Sequence, residues 1–137
     1  MEKHTTLSDE VFEQQFRSCE LEPSMFSHEA HLRLAWIHIH KYGEVQAQLN
    51  IQKQIQQFVA PLGATDKYHQ TLTVAAVHAV SHFMRKTDLD NFSDFIHTYP
   101  QLKANFRALI GSHYSFDVFK SEQARTTFVA PDLMPFS

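Results

Sequence analysis

Apolar residues recur along most of this chain at the three-to-four-residue spacing of a helix, and alternating runs of the kind that build strands are scarce. The first periodic run, SDEVFEQQFRS, follows Ser8, carries acidic residues where the amino end of a helix dipole favours them, and must stop before Glu22-Pro23. Val11, Phe12 and Phe16 form its apolar side. A second helix starts at Ser27, a good N-cap, and runs to Tyr42, where Gly43 supplies a C-cap. The third, from Glu44 to about Val59, buries Ile51, Ile55, Phe58 and Val59, turns its glutamines to water and ends at Pro61 and Gly63.

The most apolar run, KYHQTLTVAAVHAVSHFMRK, follows Thr65 and Asp66 and ends before Asp88. Asp88 and Asp90 are placed to cap the next helix, Asn91 to Tyr99, which Pro100 stops. Gln101 to Ile110 ends at Gly111, and a last helix takes part of Ser115 to Phe128. The tail VAPDLMPFS, with two prolines among apolar residues, reads either as an extended strap packed on the bundle or as a frayed terminus. The fold expected is all-α: a single-domain bundle over residues 1–137, of about six to seven helices with an extended C-terminal strap.

Composition narrows the class. With 137 residues, 43% of them hydrophobic, and only three glycines and five prolines, the chain can bury one core without disulfides or a structural metal. The formal charge of -3 and the scatter of Lys and Arg without a basic run argue against nucleic acid as a partner. No run approaches the roughly 20 apolar residues of a membrane span, and the polar start MEKHTTLSDE lacks the apolar stretch of a signal peptide. The single cysteine, Cys19, fits a reducing compartment, so a cytoplasmic location is expected. A homo-oligomer is compatible with all of this.

Ten histidines raise the question of chemistry. Advancing ~100° per residue around the second helix places His28 near the centre of the arc made by Leu32, Ala35, Ile39 and Tyr42, with His31 ~60° to one side. His40 and Arg33 fall on the outer side, and His38 on the arc's edge. On the fourth helix His69 lies near the midline of the arc made by Leu72, Ala76, Ala79, Val80 and Phe83. His78 and His82 lie opposite with Arg85, as a solvated face.

If the second, third and fourth helices run up, down and up, the first turns holding His28, His31 and His69 share one end of the bundle. Tyr68, Thr71 and Thr73 are then the hydrogen-bonding, ligand-contacting neighbours. Burial and a helix amino terminus both keep imidazole neutral, able to ligate a metal or accept a proton. Three readings follow. His28, His31 and His69 hold a divalent transition metal such as zinc or iron; or they are the catalytic or binding groups of a metal-free small-molecule pocket; or they are core histidines satisfied by Thr71, Thr73, Glu29 or helix-end carbonyls, in a non-catalytic helical protein-interaction module. Glu29 points ~100° from His28, so the pattern is not the H-E-x-x-H zinc motif. His113 and Tyr114, in the GSHYS turn, are further candidates that no periodicity places.

The motifs Phe26-Ser27-His28 with His31-Leu32 and Ala35-Trp36, Lys67-Tyr68-His69 with Thr71 and Thr73, Tyr114-Ser115, Ala124-Arg125, and Pro131-Asp132-Leu133 with Pro135 resemble those of a family of small uncharacterised bacterial proteins. The likeness covers most of the chain. No activity is established for that family, so what the resemblance implies is that these positions work together.

Overall fold

The computed structural model describes residues 2–136 and is an all-α, single-domain bundle. A short 3-10 turn at Lys3–Thr6 leads into α1 (Asp9–Arg17), whose N-cap Ser8 accepts a hydrogen bond from the Val11 amide. A second 3-10 turn, Pro23–Met25, delivers the chain to α2 (His28–Tyr42), where Ser27 accepts from the Ala30 amide. Gly43, at a φ of 85°, joins α2 directly to α3 (Glu44–Val59); a side chain there would be strained, which is why the turn can be one residue long. Two 3-10 turns, Ala60–Leu62 and Thr65–Lys67, reverse the chain into α4 (Gln70–Met84).

Beyond α4 lie four short helices: α5 (Phe92–Thr98), α6 (Gln101–Ala104), α7 (Phe106–Gly111) and α8 (Glu122–Thr126). The run expected as one helix from Gln101 to Ile110 is broken at Asn105, so the described residues form eight α-helices. Asn91, and neither Asp88 nor Asp90, caps α5 by accepting from the Asp94 amide.

The helices α2, α3 and α4 pack against one another, and α2 is the central member. Leu32 through His38 are all buried, because α1 with the amino-terminal segment, α3, α4 and the α5–α6 region cover it on every side. Phe16 stacks on Phe58 with ring centroids 4.7 Å apart and packs on Phe26 at 4.6 Å, tying α1 to α3. A smaller core joins Ala75 of α4 to Ile110, Tyr114, Val118 and Ala124. The small residue at position 75 lets α8 lie close to α4.

The expected strap is present, although Ser137 lies outside the described residues. Thr71 holds it at one end: its hydroxyl donates to the Thr127 carbonyl at 3.0 Å and accepts from the Val129 amide at 3.0 Å. Tyr114 Oη donates to the Val129 carbonyl at 2.7 Å, His113 Nδ1 donates to the Met134 carbonyl at 2.7 Å, and Asp132 accepts from the Ser115 hydroxyl and amide. Phe136 then stacks on His78.

Three outward placements from the helical wheel do not hold. Arg33 is 7% exposed, because residues 2–9 fold back across that face of α2. His78 is half-buried under Phe136, with Nδ1 donating to Glu44 at 2.9 Å and Nε2 accepting from Gln48 at 3.2 Å. His82 is half-buried against Phe83. Val11, expected in the core, is 40% exposed.

Candidate functional site

A cavity of about 360 Å³ opens where the amino ends of α2 and α4 meet, and His28, His31, Tyr68, His69 and Thr73 all line it. Two distant segments of the sequence thus arrive at one place. The floor and walls are apolar: Ile55, Val59, Leu72 and Ala76 from α3 and α4, with the rings of Phe26, Phe106 and Phe119. Phe106 sits in T-shaped contact with His28 at 4.8 Å and with Phe119 at 6.2 Å, so α7 and the turn before α8 close one side.

The three histidines differ in what they can do. His69 is the N-cap of α4 and not a first-turn residue: its Nδ1 accepts from the Leu72 amide at 3.1 Å, which leaves Nε2 carrying the proton that it donates to the Val118 carbonyl at 3.1 Å. Burial lowers its pKa, against a smaller upward pull from the Val118 carbonyl. Both nitrogens are therefore engaged, and the ring has no lone pair for a metal or a substrate proton. His28, expected near the centre of the buried arc, is exposed at the rim, because the first residue of α2 has no preceding turn to cover it. Its Nε2 donates to the Leu102 carbonyl at 3.1 Å.

His31 is the exception. Its Nε2 is enclosed without a hydrogen-bond partner, while its ring lies against Phe26 at 5.7 Å. Burial, with some repulsion from His28, pushes its pKa down to about 4, so the imidazole is neutral at pH 7. An enclosed polar atom without a partner costs on the order of 1–3 kcal/mol.

The uncharged polar groups of the lining beside these rings are hydrogen-bonded. Tyr68 Oη donates to Gln70 at 2.6 Å, Gln70 donates in turn to Gln52 at 2.7 Å, and burial raises the phenol's pKa. Thr73 donates back to the His69 carbonyl at 2.7 Å. Thr71, expected beside the histidines, is on the face of α4 that holds the strap and does not line the cavity. His113 and Tyr114 also belong to the strap. His38 is 1% exposed and lies elsewhere, its Nδ1 accepting from Asn50 at 3.3 Å.

Three imidazoles ligating one metal need three lone pairs converging on a point, and His69 contributes none in this hydrogen-bonded arrangement. Among the described residues, the group whose ligating atoms all lie within 4.8 Å of one another is instead Glu2, His4 and Glu29. These line a second cavity, about 760 Å³, on the opposite flank of α2. Sequence reasoning missed it, because a four-residue 3-10 turn carries no helical period and nothing local marks His4 as a residue with no exposure.

That second constellation is closed on itself. His4 Nε2 donates to Glu29 at 2.7 Å, and its Nδ1 faces the Arg33 guanidinium at 3.3 Å. Lys103 bridges Glu2 at 3.0 Å and Glu29 at 3.1 Å, and Arg33 pairs with Asp9 at 2.8 Å. Burial raises the Glu2 pKa, but hydrogen bonds from Ser27 and Lys103 outweigh it and leave the carboxyl below its usual range. Each acid has its cation, and the network fastens the amino-terminal segment to α2.

No helix among the described residues is long and apolar enough to cross a membrane. No protein-family model, no curated protein and no solved structure matches this chain.

Proposed function

We propose that the chain is a helical protein that binds a small organic molecule in the cavity lined by His28, His31, Tyr68, His69 and Thr73. The observation that carries this reading is His31: a neutral ring with an unpartnered, enclosed nitrogen, beside a 360 Å³ space in which Tyr68, His69 and Thr73 already have hydrogen-bond partners. A volume at the lower end of the roughly 300–1,000 Å³ typical of ligand pockets suits a molecule of one or two rings. Apolar walls supply affinity, and a few fixed polar groups supply orientation.

Binding is favoured over catalysis and over metal ligation. An imidazole whose conjugate acid has a pKa of about 4 is a weak base at pH 7, well below the range in which general bases work best. His69 spends both nitrogens on holding α4 and the loop at Val118. The lone, exposed Cys19 without a disulfide fits a reducing, cytoplasmic setting.

The rival reading, a protein-interaction module with structural histidines, draws on Val45 and Leu49, which are 77% and 59% exposed one turn apart on α3. A fragment screen by thermal shift and ligand-observed NMR on untagged protein separates the two. Fragments that raise the melting temperature of the native chain and lose that effect in His31→Phe, with its helical circular dichroism intact, support the cavity. A screen without a binder, or binders indifferent to His31→Phe, overturns it.

A further inference from the structure

The charges of the two cavities differ in kind. In the larger one, Asp9, Glu2 and Glu29 are answered by Arg33 and Lys103. The smaller one has no carboxylate in its lining at all, and its single charged group is Lys67, just before Tyr68 and His69. Among the described residues the Lys67 ammonium makes no ion pair. The neighbouring charges do not supply one: Arg125 pairs with Glu122, and Arg107 pairs with Asp117. The histidines of the lining bring no compensating charge either, since His31 is neutral at pH 7 and the bonds of His69 fix it as the neutral Nε2–H form.

Three phenylalanines from three different parts of the chain, Phe26, Phe106 and Phe119, face the same space. Aromatic rings pair edge to face or offset with a further ring, a geometry that Phe106 and Phe119 already show at 88°. Resting on the reading of this cavity as a ligand site, we infer that its ligand is a small aromatic monocarboxylate, the ring among Phe26, Phe106 and Phe119 and the carboxylate at the Lys67 ammonium. His31 then meets a polar substituent on the ring-bearing part of the ligand. A cationic ligand would find Lys67 repulsive and no acid to receive it.

The test uses three near-isosteric probes, 3-phenylpropanoate, 3-phenylpropanamide and 3-phenylpropylamine, titrated into the full chain at about pH 7 by calorimetry or ligand-observed NMR. An exposed charge pair is modest, so the carboxylate is expected about two- to fivefold tighter than the amide, with the amine weakest. The preference should shrink as salt is raised and disappear in Lys67→Gln, an exposed position whose change leaves the core untouched. Equal affinity for carboxylate and amide overturns the inference while the cavity reading stands. A carboxylate preference that persists in Lys67→Gln overturns the role given to Lys67. Binding of none of the three overturns both.

Discussion

His69 and Val118, 49 residues apart in sequence, are joined by a 3.1 Å hydrogen bond from the imidazole Nε2–H to the carbonyl oxygen. The same ring caps α4 through Nδ1, so one side chain starts a helix and anchors the loop that carries Phe119 into the cavity. Removing it with His69→Ala should cost roughly 2 kcal/mol, the sum of a lost cap and an orphaned carbonyl. His69→Asn can still accept from the Leu72 amide and should recover about half. Urea unfolding measures both. A chelator should leave the midpoint of the wild-type transition unmoved; a large chelator effect that vanishes in His69→Ala would restore the metal reading.

Two imidazoles, His38 in the core and His31 enclosed at the cavity, tie stability to pH. Burial pushes His31 and His38 each down to about 4, from about 6.5 in an unfolded chain. Between those values the unfolded state binds more protons than the folded one, so stability is full above about pH 6.5 and is lost as pH falls toward 4. Each ring should remove on the order of 2 kcal/mol between pH 7 and 5. Carboxylates held low, such as Glu13, act in a more acidic window. Denaturation curves at pH 7, 6 and 5 should show the loss, and His31→Phe should flatten about half of it; an unchanged slope in that variant would show that His31 is not buried neutral.

The elements that the chain announces locally are the ones that came out as read. Ser8, Ser27 and Gly43 sit at the helix ends where capping chemistry puts them, and α2 and α3 have the expected bounds. The convergence of His28, His31 and His69 was also legible, because it follows from short connections between three long helices. What each ring does was not. A wheel treats His69 as one more helical position, whereas the helix starts one residue later and uses it as a cap. It places Arg33 in water, since it has no knowledge that residues 2–9 return to cover that face. The aromatic wall from Phe106 and Phe119 depends on contacts far apart in sequence, for which no local pattern exists.

The strap depends on Thr71, which both donates to Thr127 and accepts from Val129. Thr71→Val keeps the shape of a side chain with no exposure while deleting both bonds, and should cost about 1–3 kcal/mol. The loss should be local: carboxypeptidase digestion and amide exchange of residues 127–136 should speed up far more than exchange within α2. Uniform acceleration across the chain would mean that the strap is part of the cooperative core.

Arg33 holds the other end of the chain. Its guanidinium donates to the His4 carbonyl at 2.7 Å, the Leu7 carbonyl at 2.8 Å and Asp9 at 2.8 and 3.2 Å. Arg33→Met removes the guanidinium that sits over the Phe12 ring and leaves two carbonyls without donors, a loss of about 3 kcal/mol. Lysine cannot reproduce a planar fork that serves three acceptors, so Arg33→Lys should lose most of that as well. In both variants residues 2–7 should become the first site of proteolysis, and ligands of the His31 cavity should bind as before, because the two cavities lie on opposite flanks of α2. Weakened binding at His31 would mean instead that the amino-terminal network and the ligand site are coupled through that helix.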